Sequence, residues 1–213
     1  MADSFDRVYD NDDLYYPHPS AFLVDFLGRR TLVGSVGTDL GCGDGRNSIL
    51  LAQLGAAVTA IDSSAVGVSK LNHRAEQLGL EVDARVGDIA QWNADQGSLN
   101  FVICSTVLEH LPHADSRQLL RRLPATVCSG GWIYVSVFTT EDPSYRRPLP
   151  ATSGLSRTAD FVISNFEPQE LLDEVRQSGL RIVSYREGQE LDASHGPEHM
   201  HGIARVVALK GGE

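Results

Sequence analysis

The apolar positions of this chain change period again and again. Residues 37–41 and 57–61 (AVTAI) are short apolar or β-branched runs of the kind buried parallel strands carry. Between them Ile49, Leu50 and Leu54 recur at helical spacing, and Gly55 follows as a stop. After Asp62, Ser63 or Ser64 can cap a helix carrying Val68, Leu71, Ala75 and Leu78 and ended by Gly79. EVDARVGD then alternates with the period of a strand, LNFVICSTV reads as a buried strand, residues 115–127 as a helix and GGWIYVSVF as another buried strand. Repeated β-α units of this kind imply an α/β fold, a largely parallel sheet with helices on both faces.

The C-terminal part departs from that rhythm. EPQELLDEVRQSGL predicts a helix with Pro168 at its first position and Gly179 past its end. LRIVSYRE and IARVVAL follow, with only a loop containing Gly and His between them, so an antiparallel hairpin is expected. Residues 141–165 are long and turn-rich, and inside a compact chain such a segment predicts a substrate lid. Residues 1–20 are expected to form an N-terminal cover, with 9–20 preceding the first helix. The expectation is one domain over residues 1–213.

Composition narrows the class. The chain is 42 % hydrophobic, enough for a full core, and has no run of eighteen apolar residues that would predict a membrane span. Its formal charge of −10 argues against nucleic acid and anionic membranes as partners, because phosphate contacts need clustered Lys and Arg. Three cysteines without framework spacing and an acidic, polar N-terminus point to a cytoplasmic protein with reduced thiols. Oligomeric state is not legible.

The turn DLGCGDG follows the first strand, and Asp62 ends the second. In an open α/β sheet ligands bind beyond the C-terminal ends of the strands. Gly41, Gly43 and Gly45 are spaced G-x-G-x-G, and Arg46 stands where a dinucleotide fingerprint needs its third glycine. A nucleoside therefore fits better than a dinucleotide. Asp62 can accept two ribose hydroxyls. GDI (87–89) offers Asp88 to an amino group and Ile89 to a ring, and Ser105 ends the fourth strand.

The series DLGCGDG, AID, GDI, STVLEHL and GGWIYVS resembles the class I S-adenosylmethionine-dependent methyltransferases, over residues 20–210. The resemblance implies a Rossmann-like, seven-stranded, mostly parallel sheet in the order 3-2-1-4-5-7-6, its last strand antiparallel. It also implies S-adenosyl-L-methionine as cofactor. Gly41 and Gly43 would face the methionine part, Asp62 the ribose, and Asp88 with Ile89 the adenine. Arg46, Ser63, Ser105 and Tyr9 are counted with the same site. More narrowly, DLGCGDGRNSILLAQLG and FVICSTV are similar to the tellurite-resistance methyltransferase family, although the His- and Arg-bearing tail of that family is replaced here by three histidines.

A sulfonium methyl is already electrophilic, so alignment of donor and acceptor supplies much of the rate, and a base completes the chemistry where the acceptor carries a proton. His195, His199 and His201 fall within SHGPEHMHG and are the catalytic candidates. They fit a base, a metal ligand set or a polar hairpin loop; with no Cys or further acid beside them, no metal is assigned. Tyr9, Tyr15 or Tyr16 can face a sulfonium through a cation–π contact. Tyr16, His18, Arg146, Arg147 and Arg205 are the substrate candidates. The expected acceptor is a small-molecule nucleophile, first a thiol or chalcogen oxyanion. The alternatives are N- or O-methylation of a metabolite and, from another class, a noncatalytic nucleoside-binding regulator.

Overall fold

The structure is a computed structural model that describes residues 2–10, 14–145, 155–158, 161–193 and 197–212. Nine strands are described: β1 (Val36–Leu40), β2 (Ala57–Asp62), β3 (Val82–Val86), β4 (Leu99–Ser105), β5 (Val127–Phe138), β6 (Leu155–Thr158), β7 (Phe161–Ser164), β8 (Arg181–Asp192) and β9 (His199–Leu209). Seven of them form one sheet in the order β3-β2-β1-β4-β5-β9-β8. With the small β6–β7 hairpin set aside, this is the order 3-2-1-4-5-7-6. The strands from β3 to β5 pair in parallel, and β9 is antiparallel to both β5 and β8.

The helices are α1 (Ala2–Tyr9), α2 (Ala21–Leu27), α3 (Arg46–Gln53), α4 (Ala65–Leu78), α5 (His113–Thr126) and α6 (Glu170–Gln177). Two large apolar clusters sandwich the sheet. One joins Leu119, Leu120 and Leu123 of α5 and Leu171 and Val175 of α6 to one face; the other joins Leu23 and Leu27 of α2 and Leu51 of α3 to the opposite face. The central strands are covered on both sides, which is why β4 reads as one apolar run.

Several local expectations need correction. Helix α6 begins at Glu170 behind Gln169, whose φ of +69° is left-handed, so Pro168 lies ahead of the helix rather than at its first position. Residues 9–20 do not precede the first helix: α1 ends at Tyr9, and the segment after it leads into α2. The 141–165 segment contains the β6–β7 hairpin, so it is more than a turn-rich loop. The α5 helix ends at Thr126, and Val127 already belongs to β5. His199 and His201 sit in strand β9 rather than in the loop before it.

Candidate active site

A cavity of about 720 Å³ opens where the parallel strands end. The turn after β1 forms its floor. Gly41 and Gly43 have φ of +73° and +53°. A Cβ at Gly41 would stand 2.1 Å from Val107, and one at Gly43 would stand 2.4 Å from the Tyr9 hydroxyl. Both positions therefore need bare backbone for space as well as conformation. Beneath the turn Asp39 is buried and accepts from Ser48 Oγ at 2.6 Å, which ties the first turn of α3 to β1. Burial pushes the Asp39 carboxyl up to about 6.

Asp62 closes the turn from the next strand. Its Oδ2 accepts from Gly43 N and its Oδ1 from Ser64 N, each at 2.8 Å. Each oxygen keeps a further lone pair for a ligand hydroxyl. Ser64, not Ser63, caps α4: its Oγ accepts from Gly67 N at 3.0 Å and donates to Asp6 of α1 at 2.6 Å. Thus the N-terminal helix is fastened to the same corner. Tyr15 N donates to Asp44 Oδ2 at 2.8 Å, which brings the segment after α1 over the glycine turn.

The end of β4 supplies the far wall. Thr106 has φ of +50°, a conformation rare outside glycine. It is held there by hydrogen bonds from its N–H to Ser136 O at 2.9 Å and to Ser136 Oγ at 3.1 Å. Arg46 donates from Nη2 to Ser105 Oγ and Thr106 Oγ1, each at 3.2 Å, and its guanidinium lies 4.0 Å over the Tyr16 ring. Glu109 is fully buried. Among the described residues its Oε1 accepts a long bond from Phe138 N, 3.4 Å, and burial pushes its carboxyl up to about 8.

Gly41, Gly43, Arg46, Asp62, Ser63, Asp88, Ile89, Ser105 and Tyr9, the nine residues expected at the cofactor, all line this cavity. Asp88 is exposed there and accepts from Ala90 N at 2.9 Å. Tyr16 and His201 line it too. A second cavity of about 240 Å³ adjoins it, sharing Tyr16, Arg46, Ser105, Thr106, Phe138 and His201 as common wall. His18 and Arg205 line only this second cavity, and Arg205 is bonded to Glu190 at 2.6 Å. Arg146, Arg147 and His195 lie outside the described residues.

His201 and His199 form a chain with residues the sequence did not single out. His201 stacks on Phe138, with ring centroids 4.5 Å apart. Its Nδ1 lies 2.8 Å from Asp142 Oδ2, and a carboxylate can only accept, so Nδ1 carries the proton. His199 Nδ1 lies 2.7 Å from the carbonyl of Pro197 and donates for the same reason. The two Nε2 atoms then face each other at 2.9 Å, so a proton taken by one can be shared with the other. Burial pushes the Asp142 carboxyl up, but hydrogen bonds from His201 and Ser144 outweigh it and hold the group below its ordinary value. Among the described residues, no group of three or more His, Cys, Asp or Glu is arranged to hold a metal ion.

Sequence reasoning missed Asp142, Glu109 and Thr106. Only Glu109 carried a signal, as an acid in an otherwise apolar strand end; Asp142 belongs to the site through contacts distant in sequence.

Residues 38–131 match the family described as a methyltransferase domain. A ubiquinone biosynthesis O-methyltransferase from Xanthomonas euvesicatoria pv. vesicatoria is 29 % identical over 163 residues, which are 72 % of this chain and 66 % of the relative. The chain thus spans slightly less than two thirds of that relative's length. A SAM-dependent methyltransferase from Methanosarcina mazei superposes with a TM-score of 0.71 at 18 % identity, covering 92 % of this chain and 100 % of the other. TehB from Haemophilus influenzae superposes with a TM-score of 0.70 at 20 % identity, covering 98 % of this chain and 66 % of TehB. Residues 38–131 thus carry a methyltransferase domain, and the sheet has the strand order of the class I S-adenosylmethionine-dependent methyltransferase fold, to which this chain is similar.

Proposed function

We propose that the larger cavity binds S-adenosyl-L-methionine and that the smaller one admits a small-molecule nucleophile, which the protein methylates. The observation that carries this reading is the shared wall: two cavities of unequal size meet at Tyr16, Arg46 and Ser105, at the strand ends where such sheets bind ligands. The residues suit the donor. Bare backbone at Gly41 and Gly43 admits a close ligand, Asp62 keeps acceptor capacity for a ribose, and Asp88 with Ile89, in the lining of the same cavity, offers an acceptor and an apolar contact for an adenine. The donor supplies an electrophilic sulfonium methyl. Everything else falls to the chain, which must align the acceptor and remove its proton.

His201 is the proposed base. Asp142 fixes its tautomer and leaves Nε2 to take a proton, and His199 shares it across 2.9 Å. His18 lines the acceptor chamber, and Arg205 does so with its charge balanced by Glu190. Likeness to the tellurite-resistance enzymes supports a thiol or chalcogen oxyanion as acceptor. The O-methyltransferase name of the relatives supports a hydroxyl as the second reading. A cytoplasmic location is proposed on the three free cysteines.

The test is release of S-adenosylhomocysteine with a thiol, tellurite and a phenol as acceptors. Release with one of them is expected, and His201→Ala should lower it about 10²–10⁴-fold while donor affinity stays nearly intact. Donor binding without release from any acceptor would favour a noncatalytic regulator.

A further inference from the structure

Arg46 is the first residue of α3, and its guanidinium belongs to the wall common to both cavities. Among the described residues its hydrogen bonds all leave from Nη2, to Ser105 and Thr106, and no carboxylate lies within ion-pair distance. The stack on Tyr16 uses the flat face of the guanidinium and leaves the in-plane donors Nε and Nη1 available. Three buried carboxyls act on this charge, Glu109, Asp39 and Asp44, and Asp44 is drawn more strongly by Arg74 and Lys70. Glu109 is held mostly protonated at neutral pH, and Asp39 is already engaged by Ser48. Among the described residues this half-buried cation thus has no carboxylate in direct contact. The other arginines of the second cavity differ: Arg205 is bonded to Glu190 at 2.6 Å, and Arg186 lies 3.9 Å from the same carboxylate.

We propose that Arg46 is the anion receptor of the acceptor chamber, holding a small monoanionic acceptor such as a thiolate, a phenolate or a chalcogen oxyanion through Nε and Nη1. The proposal rests on the reading of the two cavities as donor site and acceptor chamber. A bidentate guanidinium selects a planar or compact anion and lowers the cost of the ionised nucleophile beside the donor. The base of β9 and this cation then divide the work: His201 receives the proton, and Arg46 keeps the anion that remains. The donor's own carboxylate is the rival ligand for the same donors.

The experiment uses the full chain with 4-nitrothiophenol and 4-nitrophenol, which colour on ionising, titrated into protein saturated with S-adenosylhomocysteine. In the wild type the bound probe should ionise at lower pH than the free probe. Arg46→Gln should weaken binding of the coloured anion about tenfold or more, and Arg46→Lys should fall between, since it keeps the charge without the fork. Affinity for 5′-methylthioadenosine, which lacks the amino-acid part, should stay within about twofold in both variants. A variant that loses S-adenosylhomocysteine tenfold but keeps 5′-methylthioadenosine would assign Arg46 to the donor carboxylate and overturn the proposal. Unchanged anion binding in Arg46→Gln, or a wild-type probe that ionises no more readily when bound, would also overturn it. If the wild type fails to bind S-adenosylhomocysteine, the donor reading itself falls, while the coloured probe titrated alone still reports whether Arg46 binds anions.

Discussion

Glu109 shows how one buried carboxyl ties site to stability. Its folded-state pKa is raised by burial to about 8, above the ordinary carboxylate value, so the fold favours its protonated form. The stability this group contributes is complete below the unfolded pKa, near 4.3, and is lost as pH rises through about 8. Glu109→Gln removes the titration and keeps an oxygen for Phe138 N. Urea denaturation should therefore show the variant gaining on the wild type between pH 5 and pH 9 by at least about 1.4 kcal/mol, one pKa unit's worth. A difference that does not change with pH would contradict the buried, protonated state. Such a residue could be noticed in the sequence, as an acid in STVLEHL, but not interpreted: its burial depends on β5 and on the site built around it.

Elements follow the same rule of local signal and distant partner. The α4 helix was legible because its cap Ser64, its apolar stripe and Gly79 all lie within a few turns of one another. The α1 helix was not, although Phe5, Val8 and Tyr9 have helical spacing, because a helix of 8 residues is marginal alone and is held by tertiary contacts, here Asp6 on Ser64 and Val66. Tyr9 of α1 stands against Gly43 and lines the larger cavity. Ligand there should thus strengthen the attachment of α1. Hydrogen exchange of the Ala2–Tyr9 amides is expected to slow when S-adenosylhomocysteine binds, together with residues 14–20. Equal exchange with and without ligand would show that the segment is not a cover. A second element-scale expectation concerns α5 and α6. Arg117, 5 % exposed, bonds Glu170 and lies 3.6 Å over Phe166. Arg117→Ala removes the buried guanidinium, while Glu170 keeps Glu167 N at 2.8 Å and His113 at 3.6 Å, and should cost about 1.5–3 kcal/mol in urea denaturation. A loss below 1 kcal/mol would show the pair acting as a surface ion pair.

At the scale of the molecule, β-α alternation and the two terminal strands were enough to predict a largely parallel sheet with an antiparallel hairpin, and the strand order itself came from the resemblance. The lining of the larger cavity was legible for the same reason: Gly41, Gly43, Asp62 and Asp88 each lie at a strand end, and the parallel sheet gathers strand ends into one crevice. The smaller cavity was less so. It is assembled from β5, β9 and the N-terminal segment, whose meeting no local pattern encodes, so Asp142 behind His201 and Arg46 between the cavities emerge only from the fold.

The central claim is that the larger cavity is the S-adenosylmethionine site with Asp62 on the ribose. Calorimetric titration of the full chain with S-adenosylhomocysteine tests it most directly. The account expects one site per chain and an Asp62→Ala variant that folds but binds about 1.5–3 kcal/mol more weakly, the scale of hydrogen bonds to a charged group, or roughly 10- to 150-fold in Kd. No binding by the wild type, or equal affinity in a folded Asp62→Ala variant, would contradict it.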